Sequence, residues 1–168
     1  YQYISITNVE TGLTVYSSVP FNFTFPGGCK PEFAAKVDFT SGTNPYSVSF
    51  CDMDGNGKPD LAVTNFGSNT VSVYYNISVP GTINAGSFAA KVDYVTGSSP
   101  KSVSFGDIDG DGRPDMIVTN SGDTSVSVFR NTSTFGNVSF AARVNFPSGG
   151  SPWSVSVGDV NGDGKPDL

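Results

Sequence analysis

Histidine is absent from this chain of 168 residues, and only 14% of its residues are charged. The lack of histidine excludes Ser-His-Asp, Cys-His and histidine–metal catalytic sites. The formal net charge of −6 offers no basic surface for nucleic acid, and no apolar run is long enough for a transmembrane helix. We therefore predict a protein that is not an enzyme, binds no nucleic acid and spans no membrane.

Strong helix formers are also scarce, since Glu occurs only twice and Leu only three times. Val, Thr, Phe and Tyr are abundant, and these residues are enriched in strands. The composition therefore predicts an all-β fold.

A nine-residue motif occurs three times, at Asp52–Asp60, Asp107–Asp115 and Asp159–Asp167. Oxygen-bearing side chains stand at positions 1, 3, 5 and 9, and glycines stand at positions 4 and 6. This spacing turns alternate side chains towards one centre, and calcium takes about six to eight oxygen ligands. The glycine at position 6 permits a sharp bend, because glycine adopts positive φ without penalty. Three copies in one repeat phase predict three calcium sites rather than plain turns.

Position 7 of each loop is basic, and we expect it to offer its backbone carbonyl while its charged side chain points to solvent. These residues are Lys58, Arg113 and Lys165. The loop that begins at Asp107 carries four carboxylates, whereas each of the others carries three and one Asn. More ligand charge gives tighter calcium binding, so the charge count predicts that the middle loop is the last to empty.

The loops belong to a longer repeat that begins with Phe33–Phe39 and recurs at Phe88–Tyr94 and Phe140–Phe146. Within each copy apolar and polar residues alternate, which predicts a strand with one buried face. Three further short strands follow in each complete repeat, joined by turns. One such meander cannot bury both of its faces alone, so the repeats must stack on one another.

With its Phe-Ala-Ala-Lys/Arg strand, its Asp-rich loop and its Val-Thr-Asn strand, this repeat resembles the FG-GAP or VCBS repeats of integrin-type β-propellers over residues 33–168. The resemblance implies three four-stranded antiparallel propeller-blade-like repeats, completed between chains or part of a larger β-propeller. The repeat bounds are 33–87, 88–139 and 140–168, the last being partial, after a divergent first portion at 1–32. The resemblance also implies these side-chain calcium ligands: Asp52, Asp54, Asn56 and Asp60; Asp107, Asp109, Asp111 and Asp115; Asp159, Asn161, Asp163 and Asp167.

The resemblance implies an extracellular or cell-surface protein that serves adhesion, ligand recognition or scaffolding. Residues 1–8 resemble the strand that follows each loop, and Leu168 stands where that strand would begin. We therefore expect the N-terminal segment to complete the last blade of a neighbouring copy, giving a head-to-tail fibre or array. The alternative is that the chain forms three blades of a closed propeller that binds a carbohydrate or a cell-surface ligand.

Two smaller features bear on an extracellular setting. Four Asn-x-Ser/Thr sequons are candidate glycosylation sites: Asn22, Asn76, Asn131 and Asn137. Asn76 and Asn131 share one repeat position, which favours them. Cys29 and Cys51 either form a disulfide or are two unpaired small residues, and the sequence does not decide between these.

A third feature is the position after a turn proline, which is held by Tyr46, Lys101 and Trp153 in the successive repeats. An aromatic residue there is either a platform for a sugar or a turn residue that caps the core, and the second interpretation is the simpler.

Overall fold

The structure, a computed structural model, describes residues 35–168 and two short strands nearer the N-terminus. The chain divides into two units, Tyr1–Lys36 and Val37–Leu168. In the first unit, β1 (Ser5–Thr7) pairs antiparallel with β2 (Thr14–Tyr16). The rest of the divergent portion 1–32, including most of the segment expected to complete a neighbour's blade, lies outside the described residues.

The second unit contains two four-stranded antiparallel sheets. The first sheet has the order β3-β4-β5-β6, where β3 is Pro45–Cys51, β4 is Asp60–Asn65, β5 is Thr70–Tyr74 and β6 is Val92–Val95. The second repeats this order with β7 (Pro100–Gly106), β8 (Asp115–Asn120), β9 (Ser125–Phe129) and β10 (Val144–Pro147). The all-β prediction is confirmed, and the described residues contain no helix, hence none able to cross a membrane.

The described residues form two four-stranded sheets rather than the three expected. The third repeat supplies β10, an isolated bridge from Phe140 to Asn131 and one internal bridge between Gly158 and Asp167. Each sheet also takes its outer strand from the following sequence repeat. β6, which pairs with β5, belongs to the repeat 88–139, and β10, which pairs with β9, belongs to the repeat 140–168. The sheets are therefore offset by one strand from the repeat bounds. Residues 35–39, expected in a strand, form none in the structure.

The core lies between the two sheets. Ala62, Val71 and Val73 of the first sheet pack in one cluster with Val103, Met116, Val118 and Phe129 of the second. Met116 and Val118 are fully buried, and burying a side chain of this size contributes roughly 1.5–3 kcal/mol. β3 and β4 of the first sheet lie next to β7 of the second. The two sheets therefore stack face to face, as expected for successive repeats.

A polar ladder runs through each sheet and explains the Asn of the repeated Thr-Asn pair. Asn65 is fully buried, accepts a hydrogen bond from the Gly42 amide at 3.0 Å and donates to Ser72 Oγ at 2.8 Å. Ser72 Oγ in turn donates to Asp93 Oδ1 at 2.6 Å. In the second sheet Asn120 makes the equivalent bonds. Buried amides cost free energy unless they are hydrogen-bonded, so the ladder fixes the strand ends in register.

Each outer face of this unit carries exposed apolar side chains. On the first sheet, Val48 is 57% exposed and Phe50 is 63% exposed. On the strand β10, Val144 is 57% exposed and Phe146 is 51% exposed. Val103, the counterpart of Val48 in the next repeat, is buried between the sheets, so the outer face of β3 presents a residue type that the stacked face buries.

Candidate metal loops

Backbone amides hold the first carboxylate of every loop in the same way. Position 1 accepts hydrogen bonds from the amides of positions 5 and 6. The distances are 3.0 and 2.8 Å in the first loop, 3.0 and 2.8 Å in the second, and 3.2 and 2.8 Å in the third. The position 5 oxygen then accepts from the position 7 amide at 2.8, 3.0 and 2.9 Å. The three sequences thus build one loop conformation.

Both loop glycines have positive φ. Position 6 has φ of 82°, 85° and 81° at Gly57, Gly112 and Gly164, and position 4 lies between 73° and 80°. The sharp bend predicted at position 6 is confirmed, and position 4 shares it. In this region a side chain other than glycine is strained, so the glycines allow the amides to converge on the carboxylates.

The carboxylate at position 9 is buried at the base of the loop. Asp60 is 0% exposed and Asp115 is 1% exposed. Asp60 accepts from the amides of Met53 and Asn76, at 3.0 and 2.8 Å. Burial is the main cause that raises the pKa of Asp60, and the charges of Asp54 and Asp52 add to it. A buried carboxylate beside two others is a site that favours a cation.

Two of the loops bring three carboxylates together. Positions 1, 3 and 9 each place one oxygen within 4.8 Å of the others, in the triads Asp52, Asp54, Asp60 and Asp107, Asp109, Asp115. Calcium prefers such a set of hard oxygen donors, so the donor chemistry fits that ion. In the third loop Asp167 accepts from the Val160 amide at 3.0 Å, as its counterparts do. Among the described residues, however, this loop gathers no triad of acidic side chains.

Arginines occupy part of the second loop. Arg130 lies 2.5 Å from Asp109 and 3.2 Å from Asp111, and Arg113 lies 2.6 Å from Asp111. The Arg113 side chain is exposed, as expected for position 7, but it also pairs with Asp111, which is not part of the triad. Although desolvation acts to raise it, the pKa of Asp111 is lowered by the hydrogen bonds and charge of these arginines. The carboxylate count alone therefore no longer favours this loop as the tightest site.

The lysine of the first loop also has a partner. Lys58 Nζ donates to the carbonyl of Ser78 at 2.9 Å rather than pointing freely to solvent. Lys58 thus bonds a neutral carbonyl, whereas the arginines at the second loop form ion pairs with Asp109 and Asp111.

Asn76 and Asn131 are parts of the loop architecture that the sequence reasoning missed. Asn76 is 6% exposed and Asn131 is fully buried. Their amide nitrogens donate to the carbonyls of Pro59 and Pro114, at 2.7 and 2.8 Å. The buried amide nitrogen has no room for a glycan in this fold, so the prediction of glycosylation at these two residues is corrected. Their shared repeat position has a structural origin.

The other two sequons differ from this pair. Asn137 is exposed, in keeping with a glycan at that position. Asn22 lies outside the described residues.

Cys51 is a free thiol in the structure, and Cys29 lies outside the described residues. The disulfide alternative is therefore not the one observed at Cys51. Burial raises the pKa of Cys51 to about 11, with a further contribution from Asp52 and Asp60. Because the thiolate is the reactive form, this cysteine behaves as a small packing residue beside the loop.

The row of Tyr46, Lys101 and Trp153 does not cap the core. Tyr46 is 51% exposed and Trp153 is 64% exposed. Lys101 Nζ lies 3.1 Å from the centroid of the Trp153 ring and 5.9 Å from that of Tyr46. The successive repeats thus bring two aromatic rings and one cation together on the surface.

Comparison with known families matches the chain to the FG-GAP-like repeat over residues 52–118 and again over 107–168. The two matches overlap at the second loop and together span every one of the three Asp-rich loops. Searches among curated proteins and among solved structures found no match.

Proposed function

The chain belongs to the FG-GAP-like repeat family, and on that premise we propose that it is a non-enzymatic calcium-binding module of an extracellular or cell-surface protein. Calcium bound in the loops would neutralise the clustered carboxylates and fix each hairpin. The ligands would be the side chains at positions 1, 3, 5 and 9 and the carbonyl at position 7, in all three loops. In the second loop Asp111 would first have to leave its arginine partners.

The carboxylate triads carry this proposal. Two unit charges at the 4.8 Å limit that bounds each triad repel by roughly 3 kcal/mol at an effective dielectric constant of about 20, and less where water screens them. Asp60 and Asp115 are buried, so water screens their charges less than those of exposed carboxylates. A divalent cation converts this repulsion into attraction, so the metal stabilises the hairpins that join β3 to β4 and β7 to β8.

Calorimetric titration and thermal unfolding with and without a chelator test the proposal. We expect calcium to bind the wild-type chain and raise its Tm, and Asp52→Asn with Asp107→Asn to remove most of both effects. Asp93→Asn is the matched control, because it removes a carboxylate outside the loops and Asn145 stands at the equivalent position. An unchanged Tm in chelator, together with no binding heat, would contradict the proposal.

The assembly we propose is head to tail, with residues 1–8 completing a blade of the next copy. What supports it is the pair of exposed apolar faces on the second unit, one with Phe50 and the other with Phe146. Such faces favour association, and joining two different surfaces gives a ring or a filament. The alternative is a larger closed propeller that uses the same faces to stack further blades.

Light scattering and electron microscopy separate these arrangements. We expect the calcium-loaded chain to form filaments or rings and a variant lacking residues 1–8 to remain monomeric while still binding calcium. Equal assembly of the shortened chain would refute the role of residues 1–8, and a compact monomer at high concentration would refute self-assembly altogether.

Ligand binding is a second function that one observation favours, namely the exposed aromatic row. Trp153 is the single tryptophan of the chain, so its fluorescence reports directly on this surface. An acidic carbohydrate suits the row, since sugar rings stack on aromatic faces and Lys101 supplies the positive charge. We expect such a sugar to change the fluorescence of the wild type and to bind Lys101→Ala more weakly, and an unchanged spectrum would exclude this function.

A further inference from the structure

The first metal loop is held by two hydrogen bonds that come from the next repeat. Asn131 Nδ2 donates to the carbonyl of Met53 at 2.8 Å, across 78 residues of sequence. The Gly136 amide donates to Asp54 Oδ2 at 2.7 Å, across 82 residues. Met53 and Asp54 are positions 2 and 3 of the first loop. We call residues 131–137 the clamp segment.

The geometry of the clamp segment is fixed within its own repeat. Asn131 also donates to the Pro114 carbonyl, and its backbone amide donates to Asp115 Oδ1 at 2.8 Å. Thr134 and Asn137 exchange backbone hydrogen bonds of 3.0 and 2.8 Å around a tight turn. Gly136 has φ of 81° in that turn, which directs its amide to Asp54. The clamp therefore arrives at the first loop already ordered.

The three loops differ in burial as this contact predicts. Asp54 is buried, whereas Asp109 is exposed. At position 2, Met53 is 1% exposed and Val160 of the third loop is 87% exposed. Asn76, the counterpart of Asn131, donates to the Pro59 carbonyl of its own repeat. The first loop, which receives the contacts from the next repeat, is thus the most buried of the three at positions 2 and 3.

We propose that the clamp segment positions the first loop for calcium, so that calcium in this loop and docking of the second sheet on the first strengthen each other. The inference rests on the proposed calcium function. A hydrogen bond from an amide to a carboxylate is stronger than one between neutral groups, and it orders Asp54 before the metal arrives. Ordering ligands in advance reduces the cost of binding. Linkage then requires that calcium tighten the clamp by the same factor.

The same reasoning assigns a structural role to calcium in this protein. In the first loop the ion would act on the contact between repeats as well as on one hairpin. The second and third loops would gain the same support only where another repeat, from this or another chain, supplies an equivalent clamp. Among the described residues that support is present at the first loop alone.

The test requires a chain in which only the first loop binds calcium, obtained with Asp107→Asn and Asp159→Asn. In that background we expect Asn131→Ala and Gly136→Ala each to weaken calcium binding by about fivefold or more, which is the lower range of typical couplings. Phe135→Ala is the matched control, because Phe135 lies in the same turn with its side chain 81% exposed. Its calcium affinity should equal that of the background.

Hydrogen exchange supplies a readout that needs no clamp variant and decides the matter if a variant fails to fold. Adding calcium to the one-site chain should slow exchange of the amides at 131–137 as well as those at 52–60. Slowing confined to 52–60, or unchanged affinity in both clamp variants, would overturn the inference while leaving the calcium function intact. No calcium binding by the unmodified chain would instead overturn the proposed function and the inference with it.

Discussion

Gly106 provides the sharpest test of how the third repeat packs on the second sheet. A Cβ built at this position would lie 3.0 Å from Val157 Cβ and closer still to Val157 Cγ1. Gly158 holds the equivalent position in the next repeat, and a Cβ built there meets nothing within 4 Å. Neither glycine has positive φ, so alanine at either position changes packing without straining the backbone.

The two alanine substitutions should therefore have different effects on the free energy of unfolding. Overpacking costs about 1–3 kcal/mol, whereas replacing a glycine at a compatible position gains about 0.4–1 kcal/mol through the unfolded state. We expect Gly106→Ala to lose about 1–2 kcal/mol and Gly158→Ala to be neutral or slightly stabilised. For a chain of this length, 1 kcal/mol shifts Tm by about 2–4 °C, so Gly106→Ala should melt about 2–8 °C lower.

Thermal and urea unfolding in saturating calcium measure both variants. Val157→Ala removes Cγ1, the atom closest to the new methyl group, so the double variant with Gly106→Ala should lose less stability than the two single changes added together. Equal stability of Gly106→Ala and wild type, or additive losses in the double variant, would show that Val157 does not pack against Gly106.

Three further predictions concern charge and modification. Arg130→Gln should tighten calcium binding at the second loop by releasing Asp109, and calorimetry showing unchanged or weaker binding would contradict this. Desolvation acts to raise the pKa of Asp93, but hydrogen bonds from Lys91 and Ser72 lower it. A carboxyl whose pKa is lowered by folding stabilises the folded state at pH values above its pKa in the unfolded chain. Wild type should therefore lose more stability than Asp93→Asn as the pH falls below about 4. After secretion, peptide mapping should find a glycan at Asn137 and none at the two buried sequons of the described residues.

The metal loops could be predicted from the sequence because their information is local. Alternating oxygens and two glycines within nine residues determine which amides converge on which carboxylates, and Gly57 and Asp60 behave as that pattern requires. The strand propensities and the scarcity of strong helix formers likewise indicated an all-β chain. These hydrogen bonds join residues that are close in sequence, so they can be predicted without knowing how the sheets pack.

Only the tertiary structure decided what distant residues do to those loops. Arg130 reaches Asp109 across 21 residues, and Gly136 reaches Asp54 across 82. The repeated Asn76 and Asn131 carry the same sequon in the sequence, yet their amides are buried against proline carbonyls. Strand pairing and repeat stacking bring these groups together. The sequence repeat alone does not show which repeat packs against a given sheet. The loop conformation is therefore a property of nine residues, whereas its burial, charge balance and coupling belong to the stacked repeats.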